Sequence, residues 1–148
     1  MAPPGWPESL SDSNVDWGQG LVELAAWSRE HAPNGLYLAY FGNAPPAAWG
    51  VDAVPLPAFG PLDGSEPPLR RKRPRPSAVG ISVVNLHGLY LEQPALYAAF
   101  RDEVPVATLA GSIRVWSLEG RPDLRAALAD ACRQAGWKRT AAQISRSE

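Results

Sequence analysis

Asp12, Asn14 and Asp16 stand two residues apart in the stretch DSNVDWGQG, and Glu23 follows eleven residues after Asp12. Four oxygen-bearing side chains at this spacing match the ligand pattern of an EF-hand calcium loop. Such a loop turns sharply at its sixth position and needs glycine there; here the residue is Trp17. The segment ahead, MAPPGWPESLS, is too rich in Pro and Gly to be an entering helix, so no metal site is expected. A helix cap explains part of the stretch, with Asp16 as N-cap, Gln19 reaching back, and the acids near the positive end of the helix dipole. It leaves Asp12, Asn14 and Trp17 unexplained, and Gly18 and Gly20 weaken a helix start. Carboxylates and amides that bond hydroxyls, beside an aromatic face that can stack on a sugar ring, fit a polar ligand.

Other chemistry is thinner. Ser82, His87 and one of the N-terminal acids could form a hydrolytic triad, yet GISVV lacks the second glycine of a nucleophile elbow and puts Ser82 inside a strand pattern. A variant of that reading is a small stand-alone hydrolase or transferase with Asp12 or Asp16 as base and His87 as acid. The chain has two histidines, His31 and His87, and one cysteine, Cys132, which excludes an intrachain disulfide and argues against structural zinc. Cys132 lies among alanines on a helical pattern, where a buried, inert thiol is expected. No phosphate-cradling glycine motif is present, and no cofactor is expected. Arg70, Arg71, Lys72, Arg73 and Arg75 form a short basic run suited to weak contact with anionic lipid headgroups. No aromatics interleave with it and the net charge is −1, which argues against nucleic acid.

The elements that must position these residues are legible from periodicity. Residues 17–31 place Trp17, Leu21, Leu24, Ala25 and Ser28 on one helical arc, and Pro33 with Asn34-Gly35 stops the helix. LYLAYF, 36–41, and SAVGISVVN, 77–85, have no polar face and read as strands buried on both sides. Between them GNAPPAAWG reads as a loop with a single helical turn, and VDAVPLP as an edge strand limited by Pro55 and Pro57. Residues 58–76 form a Pro-rich basic loop with little apolar area to bury. A helix is expected at 94–102, two short strands over 105–118 meeting at Ala110-Gly111, and a helix at 121–136 with Leu124, Ala127, Leu128, Ala131 and Ala135 on one face.

With 148 residues the chain suits one domain: an extension at 1–10, an α/β domain at 11–136, and a polar tail at 137–148 that frays. The alternation predicts a small, mostly parallel sheet with helices on both faces and short antiparallel edge strands. Ligands of such sheets bind beyond the carboxyl ends of the strands. Those ends fall at Tyr40 to Asn43 and at Val84 to Gly88. Trp27 and Trp116 sit in regular elements and belong to the core, whereas Trp17 and Trp49 flank polar loops. The candidate ligand residues are therefore Asp12, Asn14, Asp16, Trp17, Gln19, Tyr40, Asn43, Trp49, Asn85 and His87. No run approaches the roughly 18 apolar residues of a membrane span, and no signal peptide is read at the N-terminus.

Four blocks, DSNVDWGQGLVELAAW, LYLAYFGNAPPAAWGV, ISVVNLHGLYLE and VPVATLAGSIRVWSL, carry a resemblance that covers residues 11–118. They resemble the soluble domain that follows the membrane part of some bacterial phospholipid-carrier-dependent, protein-mannosyltransferase-like glycosyltransferases. The resemblance implies a position on the outer face of a bacterial membrane, beside a multi-span enzyme that moves sugar from a polyprenyl-phosphate donor. This chain lacks the membrane spans and the acidic loop expected to do that chemistry. It has Gly20 where the family often has an acid, and it carries the insert GSEPPLRRKRPRP. The reading that follows is a non-catalytic accessory domain that binds a glycan, a lipid-linked sugar or the acceptor, with a structural docking domain as the alternative.

Overall fold

Leu36–Ala39 (β1) is buried at all four positions because the chain packs a layer on each of its faces. A computed structural model describes residues 18–42, 44–58, 66–68, 75–88 and 91–146. Within them, β1 pairs in parallel with Ala53–Pro55 (β2) on one side and with Ala78–Ser82 (β3) on the other. Ile113–Ser117 (β5) runs antiparallel to β3, and Ala107–Leu109 (β4) runs antiparallel to β5 at the edge. The order is β2-β1-β3-β5-β4. This is the expected mixed, mostly parallel sheet, with its antiparallel edge at β4. At the opposite, parallel edge stands Pro55, whose missing N–H is tolerated where a ladder ends.

The two faces carry separate cores. Leu21, Leu24 and Ala25 of Gln19–His31 (α1) pack with Leu36, Leu38, Ile113 and Val115. On the other face Tyr37, Val79, Ile81 and Trp116 meet Leu124, Leu128 and Cys132 of Pro122–Gln134 (α4). Alternate residues of one strand thus feed both clusters, as the two-residue period of a strand requires. Gly80 permits close approach on the α1 face: a β-carbon there would lie 3.2 Å from a Leu38 methyl and 3.3 Å from one of Leu36. Cys132 is buried, and burial pushes its thiol up to about 12, in keeping with an inert side chain.

Several elements differ from expectation. The third strand stops at Ser82, and Val83–Leu86 forms a short helix (α2) rather than extending the strand to residue 85. The turn is fixed by long-range bonds, among them Val83 N–H to the Ser112 carbonyl at 2.8 Å, which override the strand preference of two valines. The helix expected at 94–102 is reduced to Ala98–Arg101 (α3), with turns ahead of it. Residues 138–145, expected within a fraying tail, form helix α5, Lys138–Ser145. Its buried Thr140, Ala141 and Ile144 join the α4 side of the core together with Trp137. The α1 helix begins at Gln19, with Gly18 in the N-cap position at φ 116° and no side-chain cap, so Gln19 opens the helix instead of standing three residues into it.

Candidate functional site

The carboxyl ends of β1 and β3 do come together, through polar side chains that stitch backbone to backbone. The Phe41 N–H donates to the Ser82 hydroxyl at 2.8 Å, and the Asn85 amide donates to the Ala39 carbonyl at 3.2 Å. Asn85 is 1% exposed and Ser82 is buried with it. These two side chains satisfy groups that the end of a parallel ladder leaves open. Asn85 is expected to face a ligand; the structure buries it and engages its amide nitrogen with the Ala39 carbonyl, inside the fold. The bond from the Phe41 N–H gives Ser82 a structural place at the strand terminus.

Beside this junction, on the β2 edge, lies a cleft of about 410 Å³. Leu38 and Tyr40 line it from β1 and its exit, and Ala53, Pro55 and Leu56 from β2 and its exit. Pro45, Pro46 and Ala47, at the start of the 3₁₀ turn Pro46–Trp49, close another side. Asp52 is the carboxylate among the described wall residues. The volume lies in the range of small-molecule sites, and the composition, apolar with a few polar groups, is typical of them. Tyr40, one of the expected ligand residues, is half-buried and lines this cavity. Asp52, Leu38 and the proline wall were not foreseen as site residues. Asp52 and the prolines lie in the run GNAPPAAWGVDAVPLP, which reads as a loop and an edge strand and gives no sign of a cavity.

Trp49 ends the 3₁₀ turn and is 42% exposed, with its ring over the start of α1. A β-carbon at Gly18 would lie 2.7 Å from Trp49 Cζ2. The glycine that a cap alone could not explain is required both by that ring and by its left-handed backbone. Gln19 is exposed in the first turn of the same helix. Asp12, Asn14, Asp16, Trp17 and Asn43 lie outside the described residues. So do Arg70, Arg71, Lys72 and Arg73; the last member of the basic run, Arg75, donates from Nη2 to the Ile144 carbonyl at 2.8 Å.

His87 follows α2 and is half-buried, away from the wall of the cleft. Burial lowers its pKa below the ordinary histidine value, and the guanidinium groups of Arg114 and Arg101 lower it further. Arg101 is held beside it by a bond from Nε to the Leu86 carbonyl at 2.8 Å. Burial and both guanidinium groups favour the neutral imidazole over the imidazolium. Among the described residues no three His, Cys, Asp or Glu side chains are grouped to hold a metal ion. Glu23, the fourth member of the calcium-like spacing, instead accepts the backbone N–H of Ala110. No family model, no curated protein and no solved structure matches the chain.

Proposed function

We propose that this chain is a non-catalytic, extracytoplasmic accessory domain of a membrane glycosyltransferase system, and that it binds a glycan, a lipid-linked sugar or the acceptor in the cleft beside Tyr40. The observation that carries the reading is the cleft itself, set at the end of β1 between Tyr40 and the proline wall and close to the half-exposed Trp49. An aromatic residue at the mouth of an apolar cavity suits the apolar face of a sugar or the hydrocarbon of its carrier. The family resemblance of residues 11–118 supplies the membrane context. No helix among the described residues is long and apolar enough to cross a membrane. A multi-span partner would supply the anchorage, helped by weak contact of the basic run with anionic lipid.

A docking role without a ligand is the second reading, favoured by Val104 and Val106, which are 87% and 58% exposed next to the edge strand β4. Screening a glycan array and a panel of polyprenyl-phosphate sugars separates the two. Binding by the wild type that falls about tenfold or more in Tyr40→Ala, with an unchanged melting temperature, is the expected result. Absence of binding across both panels removes the ligand reading and leaves docking.

A further inference from the structure

Three basic side chains meet at one corner of the sheet, beyond the carboxyl end of β3. Arg101 of α3 donates from Nε to the Leu86 carbonyl at 2.8 Å and from Nη2 to the Pro94 carbonyl, which holds its guanidinium against the residue that precedes His87. Arg114, on β5, stands opposite Ile81 in the ladder, two residues from the Ser112 carbonyl that accepts the first N–H of α2. Strand alternation puts Arg114 on the same side of the sheet as Trp116, whose ring meets Phe100 of α3 edge-on at 5.3 Å. The two arginines thus approach His87 from α3 and from β5, closely enough for both positive charges to disfavour its imidazolium. Of the acids that follow Arg101, Glu103 is engaged by Arg121 at 3.0 Å and Asp102 is exposed.

Like charges gathered at a half-buried place repel one another, and a bound anion relieves the repulsion. All three side chains belong to partly exposed residues, so a ligand in solution can reach them. Each guanidinium presents a planar fork of donors, and donors arriving from separate elements suit a tetrahedral oxyanion better than a flat carboxylate. We infer that His87, Arg101 and Arg114 form an anion site for a phosphate group, either free or carried on a lipid ester. The site is separate from the cleft beside Tyr40, since none of the three is among the described wall residues there. It does not depend on the cleft's being a ligand site.

Inorganic phosphate titrated into the full chain at constant ionic strength, with the imidazole resonances followed by NMR, tests the site. His31 and His87 are the two histidines, and His31, half-exposed on α1, is the internal control. Phosphate should shift the His87 signals saturably and raise the His87 pKa, because a nearby anion favours the imidazolium, while His31 stays unmoved. Acetate should bind at least about tenfold more weakly. Arg114→Gln should weaken phosphate binding about tenfold or more, through loss of a charge-assisted bond. Arg114→Lys, which keeps the charge without the fork, should fall in between and serves if the glutamine variant does not fold. Geranyl phosphate distinguishes the sources: affinity at least about tenfold above that of inorganic phosphate assigns the site to a lipid-borne phosphate, and equal affinity assigns it to the free ion. His87 signals that do not move, equal movement of both histidines, equal affinity for acetate, or undiminished binding by the folded Arg114 variant would each overturn the inference. The reading of the cleft would stand in all four cases.

Discussion

The Glu66 carboxylate closes the amino end of α5 by gripping Thr140, whose backbone N–H and hydroxyl donate to Oε2 at 2.6 and 2.7 Å. The other oxygen accepts the Arg139 amide and Nε, both at 3.2 Å. Glu66 thus does from a distant loop what an N-cap residue does locally, and its charge complements the helix dipole. At the far end of the same helix, Arg75 bonds the Ile144 carbonyl. A loop expected to contribute little to the fold is fastened to α5 at two described points.

Desolvation alone would raise the Glu66 pKa, but the bonds from Thr140 and then Arg139 outweigh it and hold the carboxyl below its ordinary value. A carboxylate depressed in the folded state adds stability that is complete above the unfolded pKa and is lost as pH falls through the folded one. Glu66→Gln should therefore cost about 1–3 kcal/mol at pH 7. The gap to wild type should shrink below about pH 4. Urea unfolding at pH 7 and pH 3.5 measures both; a gap that does not change with pH would show that the charge is immaterial.

Trp49 and Gly18 give a second test. Gly18→Ala introduces a β-carbon 2.7 Å from the indole at a φ of 116°, which should cost about 2 kcal/mol from backbone strain and displacement together. In a Trp49→Ala background the displacement disappears and only strain remains. The double-mutant cycle should show about 1 kcal/mol of coupling. Full additivity would mean that the ring moves aside freely.

The β4–β5 turn holds Ala110 at φ 50° and Gly111 at φ 67°, with the Ser112 N–H donating to the Leu109 carbonyl at 3.0 Å. Consecutive positive φ values suit the mirror-image hairpin turns, in which asparagine before glycine is favoured and alanine is strained. Ala110→Asn should raise stability by about 0.5–1 kcal/mol, while the backbone N–H that Glu23 accepts remains in place. A lower melting temperature in this variant would count against the turn geometry.

The strongest sequence signals were those of burial. LYLA and AVGIS lack a polar face, and both proved to be central strands with a helical layer on each side. The α5 helix was also written in the chain, since Trp137, Ala141 and Ile144 fall at i, i+4 and i+7 and are all buried. Only one large aliphatic residue and a tryptophan mark that face, so the surrounding Lys138, Arg139 and Ser145 masked it. Residues 83–86 were misread for a different reason: valines favour a strand, and the bonds that bend the chain come from Ser112 and Ala39, far away in sequence. The site divides the same way. Tyr40 was legible as a polar aromatic at a strand's carboxyl end, but a cleft is a space, and no residue pattern encodes the absence of atoms.

Asn85 decides whether the β1–β3 junction is structural. If its amide exists to satisfy the Ala39 carbonyl, Asn85→Ala should cost about 1–3 kcal/mol, as for other buried acceptors stripped of their donor. Asn85→Asp is sharper. An ionised carboxylate at that buried point has no proton to give the carbonyl, so the variant should be the less stable of the two at pH 7. Burial raises the pKa of such an acid, and its protonated form can donate again. Stability relative to wild type should thus recover as pH falls through that raised value, because this acid gains stability on protonation whereas the Glu66 carboxylate loses it. Glycan or lipid-linked sugar binding, measured where each variant is folded, should stay within about twofold of wild type, since Asn85 is not among the described wall residues of the cleft. Small stability changes paired with a large loss of binding would instead return Asn85 to the ligand.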